Sequence, residues 1–262
     1  MIDLHCHILP DLDDGAGSLD EAAEMARIAE RDGIKKIAAT PHLFRDNFLY
    51  EDLGIIEERR NELAEILKLN KIQVELLPGA EVHISHNLIG EIRKNRSYLV
   101  LNQGTYMSVE FPSEHVFSGV KELFFELMSE GIIPIIAHPE RNSVFVSRPA
   151  FLYELIQMGA LAQANSGSFS GVYGREVEEA VFRFLELNLI HFIGSDGHNI
   201  GSLAPRLSEA VKRAEIAVGK ERSMSLVLDN PQAVIENKEI PFFAEPINPE
   251  EKKFKLKIPF LK

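Results

Sequence analysis

The feature that most constrains this chain is an alternation: short apolar runs of strand length are followed, almost to the carboxyl end, by stretches with helical spacing. Strands are predicted near 2–7, 34–40, 72–80, 106–111, 132–137, 160–164 and 190–194, with helical patterns at roughly 51–68, 116–130, 147–158, 174–188 and 203–215. The first helix has the clearest start. Ser18 followed by Glu21 makes a capping-box pattern, and Gly33 stands after the last turn. Parallel strands need a crossover between them, so this alternation implies an α/β fold with a parallel sheet, open or closed into a barrel. A length of 262 residues suits one α/β barrel or two smaller domains, and no linker or low-complexity segment marks a boundary.

Several function classes fall away early. The longest apolar run, IIPIIA at 132–137, is strand-sized and far short of the roughly 18 residues of a membrane span. No secretory signal precedes the first strand, which makes the cytoplasm the expected location, and the single cysteine excludes an intramolecular disulfide. A formal net charge of −12 would repel a polyphosphate backbone, so broad nucleic-acid binding is disfavoured. A small phosphorylated substrate stays open, because bound divalent cations would dominate the local field.

Residues 2–15, IDLHCHILPDLDDG, raise the chemical question. His5 and His7 are two apart and would project from one face of a strand, and Asp11, Asp13 and Asp14 follow at once. Chemistry in parallel α/β folds gathers at the carboxyl ends of strands, and most candidate ligands lie there. His5 and His7 end the first strand, Asp14 lies in the loop after it, and His42 follows KKIAAT. Glu81 follows ELLPGA, Glu110 sits in MSVEF, His138 ends IIPIIAH, and Asp196 and His198 follow HFIG. His191 begins its strand and so faces the other end, while His83, His86 and His115 fall in loops or helix starts; these four read as structural or surface residues.

An imidazole and carboxylate set without a cysteine cluster suits Mn²⁺, Fe²⁺ or Zn²⁺. Nine ligands exceed the need of one ion, which points to a multinuclear site with a carboxylate such as Glu81 or Asp196 as bridge. Metal-assisted hydrolysis at phosphorus is the reaction class that such a site suggests. Arg141, in His-Pro-Glu-Arg, is the first candidate for catalytic phosphate recognition, because a planar guanidinium grips two oxygens at once. Arg206, ten residues after Asp196, is the second, and Arg45, three after His42, the third. A cysteine phosphatase would carry Cys-x5-Arg, but Leu12 stands six positions after Cys6, and Cys6 should point away from His5 and His7 into packing.

The ordered set MIDLHCHILPDLDDG, TPH, GAEVHI, VEFP, IIAHPER, QANSGSFSG, LIHFIGSDGHN and DNP resembles the polymerase-and-histidinol-phosphatase (PHP) superfamily over roughly residues 1–235. Within it the chain is similar to the bacterial manganese-dependent protein-tyrosine phosphatases of capsule and exopolysaccharide clusters. The resemblance implies a distorted seven-stranded (β/α)7 TIM-like barrel over residues 1–240 holding three divalent ions, Mn²⁺ with Fe²⁺ or Zn²⁺ as alternatives. One ion would bind His5, His7, Glu81 and Asp196, a second Glu81, Glu110 and His138, and a third Asp14, His42 and His198. It further implies attack of a metal-bridging hydroxide on phosphotyrosine, with the tail of a bacterial tyrosine kinase as the phosphoprotein partner. The rival readings are histidinol-phosphate phosphatase on the same scaffold, a PHP-type exonuclease, and a non-catalytic module that binds a kinase tail.

Residues 241–262 lie beyond the matched pattern. In 252–262, KKFKLKIPFLK, Phe254, Leu256, Ile258 and Phe260 alternate with Lys255, Lys257 and Pro259, which suits an edge strand packed on its own domain or serving a homo-oligomer contact.

Overall fold

A computed structural model of the chain describes residues 1–45, 48, 50 and 52–251, so the edge strand expected within 252–262 lies outside the described residues. The amino-terminal part runs β1 (Ile2–Cys6), α1 (Leu19–Asp32), β2 (Lys36–Ala39), β3 (His42–Leu43), α2 (Gly54–Leu69), β4 (Glu75–Pro78), β5 (Glu81–His83) and α3 (Leu88–Leu99). The middle continues with β6 (Tyr106–Glu110), α4 (Val120–Ser129), β7 (Ile133–Ala137), α5 (Ser143–Ser147), α6 (Pro149–Gln157) and β8 (Leu161–Asn165). The chain then forms α7 (Ser166–Phe169), α8 (Arg175–Glu186), β9 (Phe192–Gly194), α9 (Ser208–Val218), α10 (Lys220–Ser225) and α11 (Asp229–Ile235). At α1 the Ser18 side chain accepts from Glu21 N as the sequence predicts, but Glu21 reaches Gly17 N instead of closing the box on Ser18.

Every strand pair is parallel, in a three-stranded sheet ordered β1-β2-β4 and a six-stranded sheet ordered β3-β5-β6-β7-β8-β9. Among the described residues the α/β fold with parallel strands is present as nine strands in two sheets, where the resemblance implies seven strands in a distorted barrel. The difference arises at two breaks. The strand predicted at 34–40 ends as β2 and resumes as β3 after Pro41, which has no amide hydrogen for a ladder. Thr40 covers the gap by hydrogen bonds to Cys6: its Oγ1 accepts from Cys6 N and its N donates to Cys6 O, both at 3.0 Å. The strand predicted at 72–80 likewise breaks at Gly79, where a Cβ would lie 2.9 Å from Leu101 Cδ2. The outer strands of the two sheets are linked beyond their ladders, by His7 N to Gly197 O and Asp196 N to His5 O, each at 2.9 Å.

Period-two spacing explains why polar residues collect at one end. A small buried cluster holds Ala38, Leu77, Tyr106, Leu161 and Phe192, one from each of five strands. Four residues further along the same strand lines stand His42, Glu81, Glu110, Asn165 and Asp196, hence on the same face two side-chain repeats higher. β1 departs from this parity: Ile2 and Leu4 join the cluster, a register irregularity intervenes between Asp3 and Cys6, and His5 and His7 then take the upper face. Cys6 correspondingly enters the larger outer core, as its alternation with the histidines requires. That outer core, which includes the fully buried Phe124, Phe145, Phe169, Phe182 and Phe184, packs the helices against the other faces of the sheets. No helix among the described residues is long and apolar enough to cross a membrane.

Candidate metal centre

At the end of β1, His5 Nε2 and His7 Nε2 lie 3.2 Å apart, and both residues are fully buried. Each of these nitrogens is 3.3 Å from Glu81 Oε2 and 3.3 Å from Asp196 Oδ1. Glu81 reaches this point because β5 starts there, in register with His42 on β3. Its Oε2 is 3.0 Å from His42 Nδ1, and its Oε1 accepts from His138 Nε2 at 2.8 Å. His42 Nδ1 also faces Glu110 Oε2 at 3.6 Å. On the outer side, Asp14 Oδ1 stands 3.4 Å from His42 Nε2 and 3.3 Å from His198 Nε2, with the His198 ring stacked on His7 at 4.0 Å.

The donor atoms thus form three overlapping groups, each within 4.8 Å: His5, His7, Glu81, Asp196; His7, Asp14, His42, His198; and His42, Glu81, Glu110. The first matches the set implied by the family resemblance. The third carries His42 where the resemblance implies His138, because His42 turns one ring nitrogen to Glu81 and the other to Asp14 while His138 takes the second Glu81 oxygen.

Electrostatics and unmet polar groups both suit cations. Burial alone would raise the Glu81 carboxyl, yet the His5 charge, the hydrogen bond from His138 and the His42 imidazole beside it hold it well below the usual range. Asp14 is also held low, by hydrogen bonds from His198 and His42. In His42, burial opposes protonation but Asp14 and Glu81 push the imidazole up to about 9. Glu81 Oε2 and His42 Nδ1 are buried without a well-formed hydrogen bond, although they are 3.0 Å apart. Two like imidazole nitrogens and two carboxylate oxygens facing one point are poorly served by hydrogen bonding and well served by a divalent cation. The residues present fit the metals that the ligand chemistry suggests, Mn²⁺, Fe²⁺ or Zn²⁺.

Around the donors lies a layer that sequence reasoning missed. Asp13 Oδ2 accepts from His7 Nδ1 at 2.7 Å and from His42 N at 3.0 Å. Asn165 Nδ2 donates to Asp196 Oδ2 at 2.6 Å, and the Gln163 amide lies 2.9 Å from His5 Nδ1. Asp3 Oδ1 ties the two outer strands together by accepting from His5 N and Ser195 N; burial lifts its carboxyl to about 6 against those bonds. His83, read from the sequence as structural or surface, places Nδ1 3.1 Å from Glu110 Oε2. The other three histidines of that group lie away from the donors: His86 meets Phe117 edge-on, His191 accepts from Ala162 N, and His115 belongs to none of the three donor groups.

The candidate arginines separate. Arg141 Nη1 donates to Asp196 Oδ2 at 2.8 Å and Arg45 Nη1 approaches His42 Nε2 at 2.6 Å; both line a cavity of about 170 Å³ over the donors. Phe111, Ser113, Asn142, Tyr173 and Leu203 complete much of its wall. Arg206 is exposed and does not line the cavity.

Comparison with known proteins places the chain among described relatives. The chain is 39% identical over 250 residues to the tyrosine-protein phosphatase YwqE of Bacillus subtilis (strain 168), covering 95% of this chain and 96% of that one. It is 35% identical over 240 residues to the putative tyrosine-protein phosphatase CapC of Staphylococcus aureus, covering 92% and 93%. Among solved structures, one described as "Crystal structures of YwqE from Bacillus subtilis and CpsB from Streptococcus pneumoniae, unique metal-dependent tyrosine phosphatases" matches with a TM-score of 0.90 at 38% identity, over 95% of this chain and 99% of that one. The family model for capsular polysaccharide synthesis, CpsB/CapC, spans residues 1–236, and the chain belongs to that family.

Proposed function

We propose that this protein is a metal-dependent phosphomonoesterase that removes phosphate from phosphotyrosine on proteins, a bacterial tyrosine kinase of polysaccharide synthesis being the partner. The observation that carries the reading is the meeting of three donor groups, two of them at Glu81, beneath a cavity edged by Arg141. The activity named for YwqE and CapC supports it. The architecture proposed is a distorted seven-unit barrel over residues 1–240, each broken strand counting once, acting in the cytoplasm.

Three divalent ions, Mn²⁺ by preference, would be held as follows. His5, His7, Glu81 and Asp196 take one, Glu81, Glu110 and His138 the second, and Asp14, His42 and His198 the third. When bound, such ions supply Lewis-acid activation of water and neutralise charge on phosphoryl oxygens. The chain's own residues do the rest. Arg141 keeps one guanidinium nitrogen on Asp196 and lines the cavity, where it can grip equatorial phosphate oxygens. Arg45 adds positive charge to the cavity wall, beside His42 and Glu110. Arg206, on the exposed loop after His198, is assigned a secondary role outside the cavity wall.

At about 170 Å³ the cavity is smaller than the roughly 300–1,000 Å³ of sites that enclose whole ligands. It suits a phosphoryl group presented end-on by a larger molecule. Phenolate, with a parent pKa of about 10, leaves readily enough that an aryl ester demands little of a general acid. Turnover of a phosphotyrosine peptide should exceed that of histidinol phosphate in the manganese-loaded protein. A strong preference for histidinol phosphate would replace the proposal with the rival enzyme, and no turnover of either would favour a binding module.

A further inference from the structure

The loop between α7 and α8 brings an aromatic ring to the cavity without contributing a donor atom. Tyr173 lines the cavity, and the Arg141 guanidinium carbon lies 4.4 Å from the centre of its ring. Gly167, within the QANSGSFSG stretch, lets the ring close in from the α7 side, since a Cβ there would come within 3.2 Å of Tyr173 Cε2. Asn165 lies in the same stretch and donates to the Asp196 oxygen that also accepts from Arg141. Glu140, fully buried next to Arg141, accepts from Asn165 N at 2.8 Å and Ser168 Oγ at 2.6 Å, so the backbone of this stretch is fixed.

Arg141 is therefore held at two points, by Asp196 at Nη1 and by the Tyr173 ring against its guanidinium carbon. A guanidinium with a single ion-pair contact retains rotamer freedom that a stacked ring removes. We infer that Tyr173 is a positioning residue that presets the Arg141 guanidinium for a tetrahedral oxyanion, a role that rests on the phosphatase reading. The ring face does this work; burial lifts the phenol to about 12, so it stays neutral throughout the working range.

The test compares wild type, Tyr173→Phe, Tyr173→Leu, Arg141→Ala and the Tyr173→Leu/Arg141→Ala double variant, all loaded with manganese. Two readouts need no turnover: calorimetric binding of inorganic phosphate, and the ring-current shift of the Arg141 side-chain NH signal. Tyr173→Phe should keep the shift and wild-type phosphate affinity. Tyr173→Leu should lose the shift and weaken phosphate binding about 5- to 30-fold, with KM for the peptide rising more than kcat falls and the melting temperature unchanged. Added to Arg141→Ala, it should change nothing further. An equal loss in both backgrounds, or a Tyr173→Phe variant as impaired as Tyr173→Leu, would overturn the assignment. If wild type binds phosphate but hydrolyses no ester, the phosphatase reading fails while the Tyr173 and Arg141 coupling is still decided by the binding cycle.

Discussion

Asp13 Oδ2 accepts a hydrogen bond from His7 Nδ1 at 2.7 Å, which leaves His7 Nε2 to face Glu81 and Asp196. A carboxylate on the far ring nitrogen fixes the tautomer and orientation of an imidazole ligand. Asp13 lies in none of the donor groups, so its effect runs through His7 and through the His42 amide. Asp13→Ala should weaken metal affinity about 10- to 100-fold, measured by competition with a chelator, while Asp11→Ala should leave it close to wild type.

The two arginines after β7 and β9 should separate in kinetics. Arg141→Ala removes a cavity-wall cation, and kcat/KM for a phosphotyrosine peptide should fall about 100-fold or more. Arg206→Ala alters an exposed side chain outside that wall and should cost less than about 10-fold. Steady-state assays of both variants at matched metal content check the order.

His191 offers a pH test remote from the metals. Burial, with the Arg222 charge adding to it, depresses the imidazole from 6.5 to about 3, and its Nδ1 accepts from Ala162 N. Below pH 6.5 the unfolded chain takes up a proton that the folded chain refuses until about pH 3, so stability falls as pH drops through that window. Between about pH 7 and about pH 5 this group should cost wild type about 2 kcal/mol that a His191→Gln variant does not lose. Urea unfolding of both proteins, each stripped of metal, measures the difference.

Much of the site was legible because strand parity is simple. Ala38 and His42, Leu77 and Glu81, Tyr106 and Glu110, and Phe192 and Asp196 each keep a four-residue spacing on one face, so locating the apolar runs locates the donors. The break at Gly79 was not legible, because the cost of continuing that strand depends on Leu101 and Thr40, which approach it from elsewhere in the chain, whereas Pro41 carries its own signal in lacking an amide hydrogen. The supporting residues were missed for a related reason. Asp13 and Tyr173 act from loops that turn back over the strands, and His83 faces Glu110 only because β5 and β6 pair in that register. Arg206 passed the positional argument, yet its loop carries the side chain outward. For Asp13 a usable signal did exist: an acid standing between two ligand motifs, next to one that is itself a donor.

Phosphotyrosine hydrolysis by this protein should depend on ions held by the donors gathered at Glu81. The direct measurement is metal content by elemental analysis alongside phosphotyrosine-peptide turnover, for wild type and His5→Ala, as manganese is added to the stripped proteins. Turnover of wild type should rise with bound manganese toward three ions per chain, while His5→Ala should lose metal and activity together. A stripped wild type that hydrolyses the peptide at the full rate, or a His5→Ala variant that keeps its activity after losing metal, would contradict the account.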